Sequence, residues 1–100
     1  MAQRFHVTVP ATVPTGGPFR CEIAAVDGRG RPADDYEGYV HLCSMTADGV
    51  VRVLGRRHVS GGRGRFDDLS VEGAGVGRIV AIDLEAGLAG VSNGFEVAPT

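Results

Sequence analysis

The sequence has no lysine, and all ten basic side chains are arginine. That bias reads as the base composition of a GC-rich genome before it reads as selection for bidentate contacts to phosphate. A helical hydrophobic period is missing throughout, so there is no helix to seat a phosphate loop, a His-Glu-x-x-His zinc motif or a hydrolase nucleophile. Gly73-Ala74-Gly75-Val76-Gly77 looks like a nucleotide fingerprint only in spelling, because without a following helix it is a β-turn. Apolar runs are short, none approaching the roughly 18 residues of a membrane span, and the first residues lack the basic start and apolar stretch of a secretory signal. An excess of either sign is lacking: ten basic and twelve acidic residues, an ordinary 22% of the chain, leave a net charge of −2. Such a balance gives no global attraction to nucleic acid or to an anionic membrane.

With 43% hydrophobic residues, 16 glycines and 5 prolines, the 100 residues suit one soluble core linked by many turns. Alternation is the strongest positive signal. Phe5, Val7 and Val9 oppose His6 and Thr8 until Pro10, and Phe19, Cys21, Ile23 and Ala25 oppose Arg20, Glu22 and Ala24 until Asp27. Tyr36, Val40 and Leu42 oppose Tyr39, His41 and Cys43, followed by an Asp-Gly turn and a strand over residues 50–54. In residues 65–71, Phe66 lies on one parity and Leu69 and Val71 on the other; a bulge at Asp67 and Asp68 returns all three to one face. Residues 78–83 give a sixth strand, and Phe95 and Val97 a seventh before Pro99. Residues 11–17, carrying Pro14, pair only weakly at an edge, and Leu88 plugs the end of the core. The pattern predicts an all-β antiparallel sandwich of about seven strands.

Chemistry-bearing residues are few. Cys21 lies on the inward parity and Cys43 on the outward one, so their side chains diverge and two free thiols are expected. His41 and Cys43, two apart on one strand face, have a spacing suited to Zn²⁺ but need further ligands, so a solvent-facing pair is the plainer reading. Asp27, Asp34 and Asp35 offer oxygens for Ca²⁺ without an EF-hand spacing, and solvated turns are the default. Residues 49–66 hold Arg52, Arg56, Arg57, Arg63, Arg65 and His58 with no acid among them. These five arginines are the candidate partner-binding residues. They suit protection of a sheet edge or docking to an acidic surface better than nucleic acid, for which interleaved aromatics are lacking. Ile23-Ala24-Ala25-Val26-Asp27 and Ile79-Val80-Ala81-Ile82-Asp83 share an Ile-x-Ala-x-Asp pattern, which suggests equivalent central strands in two sheets.

Pro18-Phe19 through Ala25-Val26-Asp27-Gly28-Arg29-Gly30-Arg31-Pro32, with Tyr36-Glu37-Gly38-Tyr39-Val40, resembles the first half of bacterial immunoglobulin-like repeats of the filamin and invasin type. Gly64-Arg65-Phe66-Asp67-Asp68-Leu69-Ser70-Val71, then Ala74-Gly75, Ala81, Leu88 and Ser92-Asn93-Gly94-Phe95-Glu96-Val97, is similar to their second half. Arg31 stands where that pattern often has Asn, and His41 and Cys43 are foreign to it. The resemblance implies an immunoglobulin-like β-sandwich, with residues 1–100 forming one domain of a longer bacterial protein, secreted or at the cell surface. It further implies a non-catalytic spacer or accessory domain, monomeric, with no cofactor, whose partners are neighbouring domains or another protein rather than nucleic acid or membrane. A run from Gly77-Arg78-Ile79 to Asp83, then Gly87-Leu88 and Ser92-Asn93, is also similar to segments that precede metal-dependent hydrolases. Two alternatives stay open beside these: a binding module using the arginine-rich 52–65 face for an acidic protein or glycan, and a metal site at the Asp-rich loop or at His41 and Cys43.

Overall fold

Why nine strands form among the described residues where about seven were expected follows from the two segments whose sequence signal was weakest. The computed structural model describes residues 1–73 and 75–98; Ala74 of the glycine-rich turn and Pro99, expected to end the last strand, lie outside the described residues. The smaller sheet holds β1 (Arg4–Thr8), β3 (Phe19–Val26) and β6 (Arg63–Leu69) in the order β1-β3-β6, all antiparallel. The larger sheet holds β2 (Thr12–Pro14), β4 (Gly38–Thr46), β5 (Val51–Val59), β7 (Gly75–Asp83), β8 (Leu88–Val91) and β9 (Phe95–Ala98). Its order is β2-β9-β7-β4-β5, and β8 pairs with the half of β7 that β9 leaves free.

The extra strands are β2 and β8. Val13 is fully buried, and pairing β2 in parallel with β9 closes the edge that Pro14 was expected to keep nearly unpaired. Leu88 is buried as an end plug, but it also opens a four-residue strand. The strand expected over residues 50–54 runs on to Val59, because Gly55 at φ +108° absorbs a register shift opposite Leu42 and Cys43 and lets pairing with β4 resume.

In β1, β3, β4 and β9 the inward-facing residues follow the predicted parity, and in β7 Ile79 and Ala81 take the inner face. Phe5, Val7, Cys21, Ile23, Ala25, Val40, Leu42, Ile79, Ala81, Phe95 and Val97 line the space between the sheets. Each large side chain among them contributes about 1.5–3 kcal/mol by leaving water. Two steps of β3, Phe19 to Cys21, face three steps of β6, Leu69 to Phe66, so the extra residue falls at the expected Asp67-Asp68 bulge and keeps Phe66 packed on the core. The matched Ile-x-Ala-x-Asp segments lie on β3 and β7, each central in its sheet.

The sheets are tied where the chain crosses from β1 to β2. Asn93 acts there as a strand partner: its Oδ1 accepts from the Val9 amide at 3.0 Å and its Nδ2 donates to the Val9 carbonyl at 3.0 Å. At the same edge β1 passes over β8 so closely that a Cβ on Gly90 would overlap the Phe5 carbonyl. Overpacking of this kind costs about 1–3 kcal/mol. Gly90→Ala should therefore lower the thermal midpoint by about 4 °C or more, as read by calorimetry.

Candidate functional site

The outer face of the larger sheet breaks the usual division of a sandwich into apolar inside and polar outside. Register places Val53 of β5, Cys43 of β4, Val80 of β7 and Val91 of β8 in one cross-strand row. Val51, Met45 and Arg78 form the row on one side; Arg56, His41, Ile82 and Ala89 form the row on the other. Val53 is 76% exposed, Val51 60%, Val91 55% and Met45 49%. The runs that build this face are apolar on both parities, and the inner parity alone fills the core.

At the end of the patch Tyr39 joins it. Its ring carries the Arg56 guanidinium 4.5 Å from the ring centroid and lies 5.1 Å from the His58 ring. His58 Nε2 lies 3.1 Å from Glu37 Oε2. A small cleft of about 90 Å³ opens beside Tyr39, His41, Arg56, Asp83, Leu84 and Glu85. Asp83 is buried behind it and accepts from the Tyr36 hydroxyl and from the Glu85 and Ala86 amides at 3.0 Å. Burial raises the Asp83 carboxyl, but the Tyr36 hydroxyl, the Ala86 and Glu85 amides and nearby His41 together hold it below the ordinary value. Burial, and then Asp83 itself, push the Tyr36 hydroxyl well above its ordinary value. Gly38 is required beside them, since a Cβ there would stand 2.6 Å from Asp83 Oδ2 and 2.7 Å from the Tyr36 hydroxyl.

The five candidate arginines divide between the sheets. Arg52, Arg56 and Arg57 are on β5, and Arg63 and Arg65 on β6. Arg57 donates to Asp68 at 2.8 Å, and Arg65 lies 4.0 Å from Asp67, which Arg20 also contacts at 3.0 Å. Arg63 and Arg65 instead join His6, Thr8 and Glu22 around an open trough on the smaller sheet. The acid-free stretch of arginines is thus answered from β6 itself, by the two aspartates of the bulge.

Cys21 and Cys43 are both free, one buried and one half-buried. Burial, helped by Glu22, pushes the Cys21 thiol up to about 12. Asp27 accepts the Arg31 and Arg29 amides, which hold its carboxyl below the ordinary value and occupy one oxygen in shaping the turn. Asp34 and Asp35 are exposed. No group of three or more His, Cys, Asp or Glu side chains converges as metal ligands among the described residues.

One motif escaped the sequence reading. Gly90-Val91-Ser92-Asn93-Gly94 spells the Gly-x-Ser-x-Gly of a hydrolase nucleophile elbow. Ser92 is buried, its Oγ accepting from the Ile79 amide at 2.8 Å and donating to the Asn93 carbonyl at 2.8 Å. Both capacities of the hydroxyl serve the link between β8 and β9, and the chain continues as a strand rather than a helix.

No protein family and no curated protein sequence matches this chain. Solved structures do. A superoxide reductase (neelaredoxin) from Ignicoccus hospitalis superposes with a TM-score of 0.65 at 14% identity, over 97% of this chain and 82% of its own. The PKD domain of an M14-like peptidase from Thermoplasmatales archaeon SCGC AB-540-F20 superposes at 0.50 and 16% identity, over 99% and 96%. The fold is an immunoglobulin-like β-sandwich. The first likeness corrects two expectations drawn from the sequence, that the chain is no enzyme and that it serves as a non-catalytic spacer, accessory or arginine-face binding module. A sandwich assigned to passive modules is equally the scaffold of an enzyme, so the fold supports neither expectation. Identity this low carries no residue across.

Three measurements follow from these environments. A thiol reagent should titrate one cysteine in the native protein, Cys43, and two after unfolding; Cys43→Ser should abolish the native reaction. Asp83 stabilises the fold above its unfolded value of about 3.9, and that contribution is lost as pH falls through its lower folded value. Asp83→Asn should cost about 1.5–3 kcal/mol at neutral pH, with the gap to wild type closing in urea titrations below about pH 4. At the alkaline end the sign reverses for Tyr36: its raised hydroxyl favours the fold below about pH 10 and the advantage is lost as pH rises further, an effect absent from Tyr36→Phe.

Proposed function

We propose that the chain acts as a self-docking module in which two copies pack through the outer faces of their larger sheets. The observation that supports this reading is the uncovered row Val53, Cys43, Val80 and Val91, aligned across four strands. Contiguous exposed apolar surface rimmed by polar groups marks an interaction site on a water-exposed protein. Four strands about 4.8 Å apart and about seven residues long make a patch of roughly 19 by 23 Å. With side-chain relief, that is of the same order as the roughly 800 Å² each partner gives to a standard interface.

Charge favours a second copy over a partner of one sign. Arg78 shares its end of the patch with Glu96 and Asp48, while Arg56 and His58 share theirs with Glu37 and Glu85. A two-fold copy finds opposite charge at either end, whereas a uniformly acidic or basic surface meets like charge at both. The net charge of −2 opposes pairing only weakly. This reading replaces the monomer expected from sequence.

Sedimentation should give twice the chain mass with rising concentration, and Val53→Glu or Val91→Glu should return the monomer with little change in thermal midpoint. A two-fold axis through the middle of the row brings the two Cys43 residues together, so a short bismaleimide should trap a covalent dimer that Cys43→Ser loses and Cys21→Ser keeps. A protein still monomeric at about 1 mM has no pairing free energy beyond about −4 kcal/mol, and the proposal then fails.

A further inference from the structure

The smaller sheet carries a different kind of surface on its own outer face. A trough of about 520 Å³ crosses β1, β3 and β6, within the volume range of small-molecule sites. Its floor is low because Ala24, at the centre, has only a methyl group to offer. Register sets His6 and Arg63 on either side of Ala24, and Thr8 and Arg65 on either side of Glu22. The two walls are thus two strand spacings apart, about 10 Å, enough for one six-membered ring. Arg63 and Arg65 stand about 7 Å apart along one wall, on the same face of β6.

Arg63 has no ion-pair partner among the described residues, and Arg65 has only Asp67 at 4.0 Å, outside the trough. Glu22 faces Arg65 in register, yet no salt bridge joins them among the described residues. Three charged groups therefore line the trough with their hydrogen-bonding capacity uncommitted to one another. Two guanidiniums against one carboxylate leave a single positive charge for a ligand to neutralise.

We propose that this trough binds a small hydroxylated monocarboxylate, the class that includes sugar acids. Its carboxylate takes the fork of Arg63, supported by Arg65, in the bidentate geometry guanidinium favours. Its hydroxyls donate to Glu22 and exchange hydrogen bonds with Thr8 and His6. A phosphate dianion fits less well, because it brings a single hydroxyl to share among Glu22, Thr8 and His6 and sets its second charge against that carboxylate. A neutral sugar leaves both arginines unanswered.

Amide chemical shifts of the labelled protein, followed during titration with glucuronate, glucose and inorganic phosphate at low salt, test the assignment. Glucuronate should move the amides of His6, Ala24 and Arg63 saturably, and leave those of Val53 and Val91 still. Glucose and phosphate should bind at least tenfold more weakly. Arg63→Gln should weaken glucuronate at least tenfold, and Ala24→Leu, which fills the trough from an outward-facing position, should abolish binding with the remaining spectrum intact. Phosphate binding as tightly as glucuronate overturns the ligand class. No saturable shift by about 10 mM glucuronate, or an Arg63→Gln variant that binds as wild type does, overturns the site. Failure here leaves the pairing of larger sheets untouched, since the two faces lie on opposite sides of the sandwich.

Discussion

The buried hydrogen bond from Tyr36 to Asp83 governs how the two sheets sit on one another. Tyr36 ends the loop between β3 and β4, and Asp83 ends β7, so the bond fixes where β4 starts against its neighbour. The edge of the Phe5 ring packs on Tyr36 with centroids 5.3 Å apart, which brings β1 of the other sheet into the same junction. Removing a carboxylate from water is costly, and it is tolerated here because three donors converge on Asp83. Gly38 has to lack a side chain for the pair to close. The Tyr-x-Gly spelling and the Asp at the end of β7 are thus two halves of one constraint, and the register that follows from it aligns the apolar row on the outside of the larger sheet.

Much of the interior was legible because period-2 alternation is a local property. Phe5, Cys21, Leu42 and Val97 could be placed inward from their neighbours alone, and the break in parity at Asp67 and Asp68 announced the bulge. Other features depend on partners distant in the chain. β2 is three residues containing a proline, and only the arrival of β9 makes it a strand. The extension of β5 rests on one glycine's conformational freedom rather than on apolar pattern. The outer face had a signal that alternation discards: Val51 to Leu54 and Ile79 to Ile82 are apolar on both parities, and only one parity can point inward. The trough draws on β1, β3 and β6, whose adjacency no spacing encodes.

The two outer faces divide the recognition chemistry of the molecule. One is broad, flat and apolar, suited to excluding water over an area; the other is narrow and ionic, suited to holding one group at a time. The fold between them is shared with an enzyme and with a peptidase's PKD domain at very low identity, so the fold alone does not distinguish this chain. The buried Ser92 makes the same point from the inside. A sequence motif that means nucleophile on one scaffold becomes a stitch between strands on another.

The clasp of Asn93 on Val9 has a consequence for biosynthesis. It joins residues 84 positions apart, and β2 likewise waits for β9. A nascent chain emerging from the ribosome therefore holds β1 and β3 ready long before the crossing between the sheets can be secured. Closing so long a loop is slow, and the unfinished chain exposes the very strand edges that invite aggregation. Emergence of Asn93 and β9 is the event that lets the sandwich shut, so a chain cut just before Asn93 should behave as a client of chaperones rather than as a shortened domain.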